Sequence, residues 1–304
     1  MKKLYDMNGS PIGAISIPML TDAQIADTVI TDQVSEVVVV DNDIWVFRAS
    51  DNASGVGTVR IFAFDEDTRN ITQKAKIDHR FGHCNSVDYC AETDCLILAY
   101  QDNNQSPILH DIIYIIPNAK TVIPAMTNGP TLADVGAIEY DCRELTGGSA
   151  HGLNCAWGPR NLGRYDMAVF IQDLRTYRFV QFGKGANQFE LGVYNSAAGA
   201  DEFNGTFRVT QTYTHEPPKD FVNQGAAWYG NKLYMGVGHF YDMHWVVSFH
   251  YDGTLGIEEV YNPYYGADGS EPTTHSTEGI AVTDKYIITA TTSSLVQQLE
   301  IRRR

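Results

Sequence analysis

Short apolar runs of strand length, separated by polar turns, recur along the whole chain. "SEVVVVDNDIWVFRAS" begins at Ser35, "GHCNSVDYCAETDCLILAY" at Gly82, "HGLNCAWGPRNLGRYDMAVFI" at His151, "NQGAAWYGNKLYMGVG" at Asn223 and "TEGIAVTDKYIITATT" at Thr277. Each copy opens on polar residues, enters an apolar run, reverses at a turn such as Asp41-Asn42-Asp43 or Gly230-Asn231, and returns as a second apolar run. That is the pattern of a β-hairpin. Anchored on Glu36, Asn85, Leu153, Gln224 and Glu278, the copies are 49, 68, 71 and 54 residues apart, or about 60 per unit.

Between the anchors lie further strand-turn-strand segments at 57–77, 111–126 and 245–261, and a strand at 177–184. Two hairpins per unit give four-stranded antiparallel blades. Five such units predict an all-β fold, a single five-bladed β-propeller around a central channel, with 1–304 as one domain. A parallel β-helix has a shorter period, a sandwich does not explain the recurring hairpin, and the Val, Ile, Tyr and Thr enrichment excludes helical repeats. The segment "TDAQIADTVI" (21–30) reads as a short helix or a loop. The ring is expected to close with one blade built from both ends, "PIGAISIPM" (11–19) and "SSLVQQLEIRRR" (293–304).

Composition sharpens this picture. A hydrophobic content of 43% supports a sizeable core, and Tyr 17, Phe 13 and Gly 26 suit strands joined by tight turns. The net charge of −15 speaks against nucleic acid and against anionic lipid. No run of about 18 apolar residues spans a membrane, and Asp6, Asn8, Gly9 and Pro11 interrupt any signal-peptide core. The five cysteines, Cys84, Cys90, Cys95, Cys142 and Cys155, form an odd set expected to stay reduced. Synthesis in a cytoplasm without a signal peptide is therefore expected, wherever the chain acts.

In a propeller the innermost strand of each blade begins near one mouth of the channel. The polar openings therefore predict a cluster of Glu36, His83, Asn85, Ser86, His151, Asn154, Gln224 and Glu278. Glu36 and Glu278 belong to first and last units, which a closed ring makes neighbours. Two readings stand side by side: ties between blades through backbone hydrogen bonds, or a ligand or ion site. Two loops, 213–221 and 261–276, lead into the fourth and fifth openings. Their Tyr213, Tyr261, Tyr264 and Tyr265 suit stacking on sugar rings, and Asp268, Glu271 and His275 suit hydroxyls. The spacing of Cys84, Cys90 and Cys95 does not fit zinc, which favours close Cys pairs. His239 and His244 are five apart in an aromatic loop, and Asp65-Glu66-Asp67 lacks calcium-loop spacing. No metal and no cofactor are expected.

"GHCNSVDYCAETDCLILAY" and "TEGIAVTDKYIITAT" resemble the repeats of propeller-like proteins related to the bacteriocin helveticin J. The opening "MKKLYDMNGSPIG" is similar to the start of prophage-encoded tail and surface proteins of Gram-positive bacteria. The first copy lacks the histidine and the third carries the insertion "GPRNLGR", so the resemblance transfers no catalytic residue. It implies a non-enzymatic module that recognises a cell-surface glycan or similar polymer, in company with other virion or assembly proteins. One rival is a glycoside hydrolase with Glu36 and Glu278 as its acid/base pair, about 5 Å apart for retention or about 6.5–9.5 Å for inversion. Another is a protein-interaction propeller within an assembly.

Overall fold

The structure, a computed structural model, describes residues 4–5, 11–13, 24–30, 34–50, 55–84, 86–91, 93–102, 109–141, 153–157, 167–173, 176–183, 206–214, 223–230, 232–237, 245–250, 256–261, 275–293 and 297–303. Strands dominate them. Three strands precede the first hairpin: β1 (Leu4–Tyr5), β2 (Pro11–Gly13) and β3 (Gln24–Ile30). The first sheet is β4 (Glu36–Val40), β5 (Asp43–Arg48), β6 (Gly57–Asp65) and β7 (Asn70–His79). The second is β8 (Ser86–Cys90), β9 (Cys95–Asp102), β10 (Leu109–Pro117) and β11 (Ile138–Asp141), with helix α1 (Ala119–Ala125) between its last two strands.

Three more sheets follow the same plan. The third holds β12 (Leu153–Trp157), β13 (Met167–Asp173), β14 (Thr176–Gly183) and β15 (Thr206–Thr214). The fourth holds β16 (Asn223–Tyr229), β17 (Lys232–Val237), β18 (Trp245–His250) and β19 (Gly256–Tyr261). The last holds β20 (His275–Val282), β21 (Tyr286–Ser293) and β22 (Gln297–Arg303), and takes β3 as its fourth strand. Every pairing in these sheets is antiparallel, and each pair of leading strands is one of the five hairpins read from the sequence.

The leading strands lie side by side: β4 against β8 and β20, β8 against β12, β12 against β16, and β16 against β20. Apolar side chains fill the boundaries between sheets. Between the first and second sheets, Phe47, Val59, Phe81, Leu96 and Leu98 form one cluster. Between the first and last, Val37, Ile44, Ala290, Leu299 and Ile301 form another. Full burial of one such side chain contributes about 1.5–3 kcal/mol.

Two segments depart from the expectations. Residues 24–30 are a strand, not a helix or loop, and it is they that pair with β22, with Leu299 opposite Thr28 and Gln297 opposite Ile30. The β-branched run Thr28-Val29-Ile30 favours extended backbone, and β22 offers it an edge. Pro11–Gly13 pairs instead with Leu4–Tyr5 in a separate two-stranded sheet. Residues 111–126 are not strand-turn-strand: β10 ends at Pro117 and the chain turns into α1. With Thr121, Val122, Ile123 and Pro124, α1 is a poor helix by propensity. Packing sustains it, because Ala119 and Ile123 are fully buried, and the Ala119 and Lys120 N–H groups donate to the Asp94 carbonyl and Oδ1, at 3.0 Å each.

Candidate functional site

The first residue of β4 organises the inner ends of the sheets. Glu36 has no exposed surface. Its Oε1 accepts from the N–H of its neighbour Val37 and from the N–H of Ile280 on β20, both at 2.9 Å. The other oxygen, Oε2, makes no hydrogen bond of normal geometry among the described residues and faces Gly225 of β16. A Cβ on Gly225 would lie 2.9 Å from Oε2, and a Cβ on Gly279 would lie 2.3 Å from Oε1 and 2.6 Å from the Glu36 Cα. Only glycine fits at Gly279, because the atoms it would strike include backbone. The carboxylate therefore sits where β4, β16 and β20 meet. Burial pushes its pKa well above the ordinary carboxylate value; the backbone N–H groups of Val37, Ile280 and Val87 oppose the shift, and nearby Asp88 adds to it.

Glu278 is half-buried on β20, two residues before Ile280. It is the extra residue of a β-bulge, since Thr277 pairs with Thr291 and Gly279 with Ala290. Gln224 stands in the same relation to β16, where Asn223 pairs with Val237 and Gly225 with Gly236. A bulge adds one residue to its strand and increases the local twist. Two of the residues singled out in the sequence thus precede the two glycines that pack against Glu36.

The second sheet uses a neutral tie. Buried Ser86 donates its hydroxyl to the Cys155 carbonyl on β12 at 2.8 Å, and the Cys155 thiol approaches the Ser86 carbonyl at 3.8 Å. Asp88, also buried, accepts from the Tyr89 N–H at 2.8 Å. His83 is partly buried in the turn before β8, and its N–H donates to the Gln101 carbonyl at 2.7 Å. Asn154 lies on β12 opposite Phe170, and His275 opens β20 opposite Ser293. Asn85, His151, Tyr264, Tyr265, Asp268 and Glu271 lie outside the described residues. Cys84, Cys90, Cys95 and Cys155 are buried thiols, with Cys90 directly opposite Cys95. Among the described residues, no three His, Cys, Asp or Glu side chains gather as a metal site.

His79 is the last residue of β7, and neither the polar openings nor the two loops pointed to it. It is fully buried and stacks on Phe81, ring centroids 4.6 Å apart. Its Nδ1 accepts from the Phe81 N–H at 3.1 Å. Burial lowers its pKa to about 4, against the opposing pull of the Thr58 and Arg48 backbone. Gly57 leaves room for it: a Cβ there would stand 2.3 Å from the Arg48 carbonyl oxygen and 2.6 Å from the imidazole Cε1. A histidine at a strand end carries no signal of burial, whereas the glycine opening the facing strand is a weak one.

No family model matches the chain, so none supports the resemblance to helveticin J-related repeats, and no curated protein matches its sequence. Solved structures are similar to it in fold. The tail fiber of Staphylococcus aureus phage P68 aligns over 92% of this chain and 52% of its own, at 12% identity and a TM-score of 0.50. The chain thus spans about half the length of that fiber. The β-propeller domain of Cps50 (Swd1) from Myceliophteria thermophila aligns over 91% of this chain and 99% of its own, at 8% identity and a TM-score of 0.43. The PQQ-bound aldose sugar dehydrogenase of Streptomyces coelicolor aligns over 92% and 96%, at 8% identity and a TM-score of 0.42. The chain is a mostly β protein of antiparallel sheets, similar in fold to a phage tail fiber.

Proposed function

We propose that the five sheets are the blades of one closed five-bladed propeller, and that the chain is a non-enzymatic recognition module for a cell-surface glycan, working within a phage or prophage tail. The observation that carries this reading is the likeness in fold to a phage tail fiber over 92% of the chain. The side-by-side order of the leading strands and the pairing of β3 with β22 support closure. The state of Glu36 weighs against the hydrolase alternative. A general acid must reach the proton it transfers, yet this carboxylate has no exposed surface and holds two backbone N–H groups. The residues assigned to ligand in this reading are Gln224, Glu278, Asn154 and His275, with His83, Asn85, His151, Tyr264 and Tyr265. Its partners are a glycan or similar polymer and other virion proteins.

The test sets binding to a glycan array and to host cell walls beside release of reducing ends from the same walls. Binding without turnover is expected, with Asn154→Ala and Gln224→Ala each weakening it by about 1–3 kcal/mol. Reducing-end release that vanishes in both Glu36→Gln and Glu278→Gln would replace this reading with the hydrolase.

A further inference from the structure

At the opposite ends of the strands, the boundary between first and last sheets holds a cleft of about 520 Å³. It lies among the turns after β4, β6 and β20. Its apolar wall includes Ile44, Phe64, Tyr286 and Ile288, and the Tyr286 and Phe64 rings meet edge to face, centroids 5.5 Å apart. Asn42, Asp284 and Lys285 stand exposed on its rim. The boundary between first and second sheets differs at this end. There α1 buries Ala119 and Ile123 in the cluster that contains Val38, Val40 and Trp45. The chain fills one boundary with its own helix and leaves the other open among its described residues.

Charge narrows the occupant. Asp41 pairs with Lys120 at 3.4 Å, and Glu66 with Lys285 at 3.5 Å and Arg303 at 3.7 Å. With Asp284, three carboxylates face three cations, so the cleft offers no net attraction to a polyanion or a polycation. Its volume falls in the ordinary range of ligand sites, about 300–1,000 Å³, with apolar walls and few polar groups. An aromatic wall beside amide, carboxylate and ammonium groups suits a ligand with one apolar face and hydroxyl edges.

We propose that this cleft is a second binding site, for a neutral saccharide, with one sugar ring against the Tyr286–Phe64 wall and its hydroxyls toward Asn42, Asp284 and Lys285. It does not depend on the strand-opening face binding glycan. The test is saturation-transfer NMR with the methyl glycosides of glucose, galactose and N-acetylglucosamine, on the whole chain and on Tyr286→Leu, Asp284→Ala and Gln224→Ala. At least one glycoside is expected to bind with a dissociation constant on the order of 1 mM. Tyr286→Leu should weaken it by about tenfold or more and Asp284→Ala by about threefold. Asp284 is an exposed turn residue, so its variant decides the matter if Tyr286→Leu fails to fold. No binding by any of the three glycosides, or binding that survives Asp284→Ala undiminished, overturns the proposal. Binding lost in Gln224→Ala but kept in the cleft variants overturns it too, and leaves the strand-opening site standing.

Discussion

The inner and outer edges of the first sheet solve one problem in two ways. Each ends in a fully buried titratable side chain, Glu36 on β4 and His79 on β7. At each edge a glycine makes the space, Gly279 for the acid and Gly57 for the imidazole. Burial pushes both groups toward their neutral forms, the acid's pKa up and the imidazole's down. The partners differ. His79 bonds and stacks within its own neighbourhood, on Phe81 two residues away. Glu36 reaches Ile280, 244 residues distant in the chain. The outer group finishes a strand end, while the inner one ties the first sheet to the last.

If that contrast is right, Gly279→Val is the most damaging single change. Its Cβ meets Glu36 Oε1 at 2.3 Å, Glu36 Cα at 2.6 Å and the Val37 nitrogen at 2.7 Å; two of the three are backbone and cannot swing aside. A loss above about 4 kcal/mol is expected, measured by urea unfolding. Gly57→Ala should cost about 3 kcal/mol, less because its Cβ meets one backbone atom, the Arg48 carbonyl oxygen at 2.3 Å, and otherwise the imidazole, which can move. Glu36→Ala strands the N–H groups of Val37 and Ile280 and should cost about 2–3 kcal/mol; a loss as small as an exposed substitution gives would remove the tie between first and last sheets.

The His79 effect follows pH. Its folded-state pKa, about 4, lies below the ordinary 6.5, so its contribution is complete above pH 6.5 and is lost as pH falls toward 4. The loss is about 1.4 kcal/mol per pH unit in that window, and His79→Gln should flatten it. The smallest effect belongs to the neutral tie: Ser86→Ala should cost about 1 kcal/mol with no change in pH dependence.

The hairpins were legible because strand pairing leaves a repeated local mark, an apolar run, a turn and a return. What pairs with what over long distances leaves no such mark. Thr28-Val29-Ile30 is compatible with a strand, but only the free edge of β22 makes residues 24–30 one. α1 runs against its own propensities and is decided by the burial of Ala119 and Ile123. For the site, the expected nearness of the first and last units has its counterpart in the hydrogen bond from the Ile280 N–H to Glu36. The chemistry of the polar openings was not legible, because a buried tie and an exposed ligand group look alike in sequence. The glycines following Gln224 and Glu278 were the available clue, since a glycine there permits another chain segment to approach closely.

The most direct measurement of the central claim, that Glu36 is a buried tie rather than a presented acid, compares unfolding free energy of the parent and of Glu36→Gln from pH 4 upward. Glutamine has the shape of the protonated acid. The folded-state pKa lies above the ordinary 4.5. Below pH 4.5 the carboxyl keeps its proton in both states and its contribution is complete. Above it, the unfolded chain releases the proton while the folded protein retains it, so the parent should lose stability relative to Glu36→Gln by about 1.4 kcal/mol per pH unit until the folded-state pKa is passed. Curves that stay parallel across that range, or a parent that gains on the variant as pH rises, would contradict a carboxyl enclosed where three sheets meet.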